Sequence, residues 1–596
     1  MYVRGGSPDQ NLILLDDVPL YYVNHLGGFA SIFNTDAISA VKLIKGGFPA
    51  RYGGRLSSIM DVRMKEGDMN EYHGAFSVGL LSAKPSVEGP IIKGKTSFIV
   101  LYRRMLYDLL MYPVSRLFMD GVGFGYHFYD LNAKINHRFS EKDRLYLSFY
   151  SGDDRLRMKG KERYIESSQD NKVRWGNLTT SLRWNHLYNN KLFSNATVAY
   201  TQYRFLTDIE QKDIYFSYHE KFNSGINDWS AKMEFEYFAA PAYKLSFGGD
   251  VVYHTFTPSD SSYKIVDQKY GNYSTNTWES ALFVENELKF GSVFSSNIGL
   301  RGSSYAVNGK SFFSLEPRIL TNFHLTKNLS LKASFAQMQQ NVHMLTNSGM
   351  DMPVDLWLPA TDEIIPSKST QYAMDFAQSL FKNQYELSIE GVYKKMNNLI
   401  AYKSGVNAYE ISADWQQRVE KGGSGESYGI EFLAQKKMGK ITGWVGYALS
   451  RTTRQFANIN DGKKYDYKYD RRHDISVVFM YQIKENIDVS ATWVYGTGSA
   501  FSLPVGQYEI INPDNPDHYT TQNIYDGVNF HKQKRRGIRT WNVSIYNAYN
   551  CQNPYYYYFS HDSYLDPNTG ERLETRKTKQ TNLFPIIPSV SYSFKF

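Results

Sequence analysis

Histidine and cysteine are the side chains from which a metal site or a nucleophilic centre would be built, and their spacing here builds neither. The thirteen His are scattered, with no HxxxH pair and no HExxH motif, the spacings that set two imidazoles on one helix face toward a zinc ion. Cys551 is the single cysteine, so an intrachain disulfide framework and a Cys-based zinc module are both excluded. It reads as an incidental thiol in a turn. Gly121-Val122-Gly123-Phe124-Gly125 has the glycine density of a phosphate loop but neither the GxGxxG spacing nor the strand–helix setting, and is read as an external loop. No Ser-His-Asp set can be argued. The expected catalytic residues, metal ligands and cofactors are therefore none, and an enzyme is not expected. Lys and Arg number 67 against 59 Asp and Glu, a net charge of +8 without clustering, which is no nucleic-acid signature. One basic run, Arg155-Leu156-Arg157-Met158-Lys159-Gly160-Lys161, is read either as a contact for anionic lipopolysaccharide phosphates or as a solvated loop.

The elements that would position any site are strands. Mean hydropathy is −0.47 and no stretch approaches 18 consecutive apolar residues, so no helical membrane span is expected. Aromatics make up 16% of the 596 residues, with 48 Tyr, 36 Phe and 9 Trp, which argues against disorder. Strict alternation recurs: Ile487, Val489, Ala491, Trp493 and Tyr495 on one face, Asp488, Ser490 and Thr492 on the other. Leu329–Phe335, Glu386–Lys394 and Val590–Phe596 repeat it. Period two is the half-buried strand, which a soluble sandwich would share. The punctuation is more selective. Short polar turns fall at Ile92–Lys95, Ser140–Asp143, Asn189–Lys191, Ala239–Ala242, Phe290–Ser292, Thr326–Asn328, Lys382–Gln384, Met438–Lys440, Lys484–Asn486 and Cys551–Pro554. Between consecutive turns lie a strand, a longer polar and aromatic loop, and a returning strand. Short turns on one side and long loops on the other are the asymmetry of an outer-membrane barrel. Ten turns join eleven hairpins, which gives 22 strands.

In such a barrel Tyr and Trp belong at the membrane–water boundary, where one end of the ring is apolar and the other wet. Phe149, Tyr150, Tyr200, Tyr203, Trp493, Tyr495 and Tyr555–Phe559 read as strand ends of that kind. The competing readings are a Tyr-rich propeller, which should show a blade motif at a fixed period that is not seen, and a secreted adhesin.

Residues 1–70 differ in texture. They are Gly-rich and mix a buried strand at Leu12–Leu15, a short helix at Ser31–Ala40, a strand at Ala40–Ile44 and another from Ile59 to Met64. The segment Val3-Arg4-Gly5-Gly6, followed by Leu14-Leu15-Asp16-Asp17-Val18-Pro19, resembles the middle of a TonB-dependent receptor plug, with Asp17 where Gly is usual. Ile38 through Lys45-Gly46-Gly47-Phe48-Pro49-Ala50-Arg51-Tyr52-Gly53-Gly54 resembles the closing signature of that plug. Ser314–Arg318, Gly425–Phe432, Asp470–Asp474 and the terminal Phe596 extend the resemblance through the barrel.

The resemblance implies an all-β transmembrane fold: a 22-stranded antiparallel outer-membrane β-barrel over 71–596 with a partial mixed α/β plug, 1–70, in its lumen. Arg4 and Arg51 are then expected to pair with lumen carboxylates, and Phe596 to serve as the aromatic barrel-assembly signal. Met1 falls in mid-plug. The first plug half, the energy-coupling segment (TonB box) and a signal peptide are therefore expected outside this sequence, through a miscalled start, a truncated gene or a fragment. The implied function is TonB-driven uptake of a scarce solute, a ferric siderophore first, with oligosaccharide, vitamin or peptide behind it. The implied partners are TonB, the barrel assembly machinery and outer-membrane lipids with lipopolysaccharide. A passive or non-functional barrel remnant and a secreted β-rich surface binding protein are the alternatives. Ligand contacts are expected in the long loops near 340–370, 400–425, 452–470 and 498–537, with Met350, Met352 and Trp357 as candidates.

Overall fold

The structure is a computed structural model. It describes the chain except residues 1–2, 26–27, 29, 80–81, 120, 162–166, 213–216, 264–267, 271–273, 346–355, 404–414, 485–486, 499, 513–514, 531–532, 542, 547–553, 566–571, 583–586 and 596, and beyond 500 it describes backbone elements alone.

One large antiparallel sheet of about twenty strands dominates. Its strands pair with their neighbours in chain order, and Ile587–Lys595 pairs back on His73–Gly79 with Phe594 opposite Phe76. Eight of the ten short turns join consecutive strands where the sequence places them; for example Arg138 and Asp143, Asn189 and Leu192, and Ala240 and Tyr243 bracket three of them, while residues 485–486 of a ninth lie outside the described residues. Residues 551–553 of the tenth lie outside the described residues.

The aromatics form two rows on the outer face. Tyr200 lies opposite Trp229 with ring centroids 4.9 Å apart, and Tyr253 opposite Trp278 at 4.8 Å. Near the short turns, Phe235 stacks on Phe247 at 5.2 Å and Phe294 packs on Phe290 and Phe323. Trp278 and Phe290 share one strand face twelve residues apart. At ~3.3 Å per residue and a tilt of about 40° this separates the rows by about 30 Å, the span of an apolar band with its two girdles. Leu282 and Val284, between them, face outward.

Several strands run well past that band. Ser217–Ala240 has 24 residues and Ser168–Asn189 has 22, against about 9–11 needed to span. The basic run 155–161, expected as a loop, is instead the end of strand Asp143–Lys161. The glycines at 123 and 125, also expected in a loop, lie in strand Gly123–Arg138. They seat the helix Tyr107–Phe118, for which Pro113 in its interior left no sequence signal.

Residues up to about 70 fold inside the ring. Four strands pair in the order Val18–Pro19, Asn11–Leu15, Ser58–Met64, Ile38–Ile44, the central pair parallel. Parallel strands are buried on both faces, and all five residues of Asn11–Leu15 are buried. The helix expected at Ser31–Ala40 is a single 3₁₀ turn, Thr35–Ala37, with the Asn34 side chain accepting from the Asp36 N–H at 3.2 Å. The chain extends at once into strand Ile38–Ile44. Leu12, Leu14, Phe48, Tyr52, Leu56 and Ile59 form an apolar core that closes on Ala336 and Met338 of the wall.

Candidate functional site

The site is the seam between this inner domain and the barrel, together with the aromatic cluster above it. Asn11–Leu15 turns into Val18–Pro19 through Asp16 and Asp17, both in the left-handed region at φ 49° and 73°. A two-residue hairpin of this kind needs positive φ at both central residues, a conformation that favours Gly. Asp17 is held there by charge: its carboxylate receives Arg63 at 2.5 and 2.6 Å and Arg183 of the wall at 2.9 Å. Burial alone would raise this carboxyl, but Arg63, aided by Arg183, holds it well below the usual carboxylate range. Asp16 beside it meets Lys134 of the wall at 2.9 Å and accepts from Ser148 at 2.7 Å.

The opposite edge is bridged by cations of the inner domain. Arg4 pairs with Glu390 at 2.5 Å and Glu431 at 3.2 Å, and donates to the Lys45 carbonyl at 2.7 Å. Lys45 reaches Glu431 at 2.6 Å. Arg51 donates its backbone N–H to Glu285 at 2.8 Å, and its guanidinium lies 3.5 Å from Glu236 and over the Tyr52 ring. Tyr52 donates to Asp61 at 3.3 Å, and burial pushes its hydroxyl up to about 12. From the wall, Arg318 donates to the carbonyls of Pro49 and Tyr52.

The glycines of the segment are close-approach points. Gly5, at φ 66°, has Thr452 and Ser427 of the wall where a Cβ would be, with Thr452 Oγ1 only 1.8 Å from that position. Gly53 leaves room for the Arg301 guanidinium in the same way. Gly6 abuts Ser57, Gly46 the Arg4 guanidinium, Gly47 Leu320, and Gly54 Glu279.

Sequence reasoning missed one fully buried contact of the seam. His25 sets Nδ1 2.7 Å from Asp154 and Nε2 3.1 Å from Asp130, and its ring stacks on Phe128 at 3.8 Å. Arg103 and Tyr150 also reach Asp130, and Tyr126 reaches Asp154. Burial opposes the imidazolium, but the bonds to Asp130 and Asp154 outweigh it and raise the His25 pKa above its ordinary value. The partners lie 105 and 129 positions away in the chain, so no local pattern announces them.

On the long-loop side the expected loop 340–370 folds inward as the hairpin Val342–Leu345 and Leu356–Pro359. Trp357 is buried in a cluster with Tyr21, Tyr203, Phe205, Phe256, Met344 and Trp415. It meets the Tyr21 ring edge-on at 4.9 Å, and the Arg55 guanidinium covers both rings. No hydrogen-bond acceptor meets its indole N–H among the described residues. Met350 and Met352 lie outside the described residues. On the short-turn side, a cavity of about 540 Å³ separates Leu43–Gly46 from wall residues including Lys332, Asp375, Glu431 and Trp444. Among the described residues no group of His, Cys, Asp or Glu is arranged to hold a metal ion.

A folded domain pinned inside a large antiparallel barrel, with a packed aromatic cluster above it and a cavity below, has a counterpart among known families. Residues 118–553 match the TonB dependent receptor-like beta-barrel and residues 1–58 the TonB-dependent Receptor Plug Domain. The chain belongs to the TonB-dependent receptor family. No curated protein matches it. Solved structures share its fold at low identity. The siderophore receptor PirA from Acinetobacter baumannii superposes with a TM-score of 0.60 at 13% identity, over 100% of this chain and 92% of that one. The FrpB iron transporter from Neisseria meningitidis gives 0.63 at 12%, over 98% and 92%. The outer membrane transporter YddB from Escherichia coli gives 0.65 at 10%, over 100% and 91%. TonB-dependent receptors are transporters, not enzymes, and the family implies a TonB partner and a transported solute. In this receptor Arg4, Gly5, Asp16, Gly46, Gly47, Arg51, Tyr52, Gly53 and Gly54 lie along the plug–barrel seam, and Gly6 packs on Ser57 within the plug. Trp357 lies in the buried aromatic cluster on the long-loop side.

Proposed function

We propose that this receptor takes up a scarce solute across the outer membrane, a ferric siderophore before an oligosaccharide, a vitamin or a peptide. The plug spans 1–70 and the barrel 71–596, with 22 strands. The observation that carries the reading is the double anchoring of the plug, by Asp16 and Asp17 on one edge and by Arg4 and Lys45 on the other. Ion pairs inside a partly dehydrated lumen fix a plug firmly, yet can be exchanged for water when it is pulled. A passive pore has no use for a lumen so filled.

The solute is met by the loops over the aromatic cluster of Trp357 and Tyr21, Met350 and Met352 among their residues, and leaves along the cavity beneath strand Ile38–Ile44. An aromatic wall with an unpaired indole N–H suits a flat, partly polar ligand. Release is driven by TonB. Phe596 is the signal read by the barrel assembly machinery. The reading of ferric siderophores as the first class to test is supported by the siderophore receptors and the iron transporter among the structural neighbours. The test is growth of a deletion strain on defined iron, vitamin and glycan sources. A defect restricted to one ferric siderophore supports the assignment, and wild-type growth on all iron sources with a defect on a glycan replaces it.

A further inference from the structure

The helix Tyr107–Phe118 is turned inside out. Its polar side meets the barrel: Asp108 pairs with Arg104 at 2.8 Å and lies 3.2 Å from His127, and the buried Ser115 Oγ accepts from the Phe124 N–H at 2.7 Å. Tyr112 covers Gly123 and Gly125, where the wall carries no side chain. Its apolar side faces away from the protein, with Leu117 81% and Phe118 83% exposed and Leu109, Leu110 and Val114 beside them. A helix in water buries its apolar stripe. A contiguous apolar face left outside marks a lipid or protein contact. The helix lies on the outer wall, since Gly123, Gly125 and His127 alternate with Tyr126, Phe128 and Asp130, which face the plug. On the same outer face Tyr129 stacks on Tyr102 at 6.3 Å.

Beside it the outer face is basic. Asp153 is fully buried and accepts from Arg155 at 3.2 Å, Arg174 at 2.5 Å and Arg204 at 3.0 Å, three guanidiniums that are themselves 35–47% exposed. One carboxylate orients three cations and neutralises one. Arg155 sits opposite His127 and Arg157 opposite Gly125, so the cluster and the helix share one corner of the wall. Arg157 and Lys172 share Asp170, and Lys172 also reaches Asp208.

We propose that this corner binds a phosphorylated glycolipid of the outer leaflet, lipid A of lipopolysaccharide. The forks of Arg155, Arg174 and Arg204 take a phosphate, and the Leu117–Phe118 side of the helix dips into the acyl boundary. Guanidinium geometry matches phosphate oxygens two at a time, and an apolar helix side next to a basic patch is the arrangement of an interfacial element. The inference rests on the outer-membrane reading above.

The test reconstitutes the full chain in phosphatidylcholine vesicles carrying either bisphosphorylated lipid A or its phosphate-free form, and counts lipid A retained per barrel by mass spectrometry. The variants are Arg155→Ala/Arg174→Ala, Leu117→Ser/Phe118→Ser, and Arg174→Lys as the conservative control. Heat-modifiable gel mobility reports folding. The wild type should retain the bisphosphorylated lipid, and each double variant should lose about tenfold. Arg174→Lys should lie between, and the phosphate-free lipid should bind the wild type as poorly as the arginine variant binds the phosphorylated one. Equal retention by all folded variants, or equal retention of both lipids, overturns the site. So does a protein that co-purifies through Leu117 and Phe118 while lipid retention is unchanged. A barrel absent from the outer-membrane fraction of cells would instead overturn the membrane reading, and the proposal with it.

Discussion

His25 Nδ1, in the plug, lies 2.7 Å from a carboxylate oxygen of Asp154 in the barrel wall, while Nε2 faces Asp130. This is a cation seated between two anions out of reach of water, and its pKa is raised. A raised folded-state pKa gives stability that is fully present below the unfolded value of about 6.5 and is lost as pH rises through the folded value. Wild-type unfolding midpoints should therefore fall as pH climbs above about 6.5. His25→Gln should be less stable in acid, by about 3 kcal/mol, and should lack the alkaline slope. Identical pH slopes in both proteins would remove His25 as an anchor.

Asp17 makes the opposite prediction. Its carboxyl is depressed, so its contribution is present above the ordinary carboxyl value and lost as pH falls. Asp17→Gly relieves a left-handed residue, worth about 1–2 kcal/mol, but strips Arg63 and Arg183 of their partner, worth about 3–5 kcal/mol. The net expectation is a loss of about 2 kcal/mol at neutral pH, shrinking in acid. Denaturant unfolding at two pH values checks it, and a stabilised variant would contradict it.

Gly5→Ala places a methyl 1.8 Å from Thr452 Oγ1 at a φ of 66°. Backbone strain and overpacking together should cost about 2–4 kcal/mol and loosen the plug. Single-channel recording should show more frequent openings than in the wild type. A second change, Thr452→Gly, should restore part of the seal, and an unaltered conductance in Gly5→Ala would refute the tight seam.

Trp357→Ala removes the ring that packs edge-on against Tyr21. Ligand affinity should drop by about tenfold or more, the loss of one buried aromatic anchor, while heat-modifiable mobility shows that the barrel still folds despite a cavity cost of about 3–5 kcal/mol. Titration calorimetry with the solute found in the growth screen reads this. Unchanged affinity would place the ligand elsewhere on the loops.

Phe596→Ala should reduce the yield of membrane-inserted barrel without reducing synthesis. The position lies outside the described residues, so the expectation rests on the aromatic C-terminus alone. Quantitative blotting of outer-membrane fractions decides it, with a wild-type yield counting against the signal.

The barrel was legible because its signal is local and repeated. Alternation and short turns recur within each hairpin, and the pairs 138/143, 189/192 and 240/243 bracket turns read directly from polar residues. The glycines of the plug were legible through resemblance, and Gly5 and Gly53 show its physical source in wall atoms that occupy the space of a Cβ. What stayed hidden is long-range. His25 acquires its role from Asp130 and Asp154, more than a hundred residues away. The helix Tyr107–Phe118 escaped notice because Pro113 interrupts its propensity and its apolar side points outward, so no core-facing stripe marked it. The run at 155–161 read as a loop because Arg155, Arg157 and Lys159 face outward from a strand that continues beyond the apolar band.

The most direct test of the account is uptake of radiolabelled iron, presented as ferric siderophores, by cells carrying the intact gene, its deletion, or a deletion of TonB. The account predicts accumulation of one siderophore's iron that needs both the receptor and TonB and vanishes when either is lost. Accumulation of every siderophore's iron unchanged in the receptor deletion, or receptor-dependent accumulation that survives the loss of TonB, would contradict it.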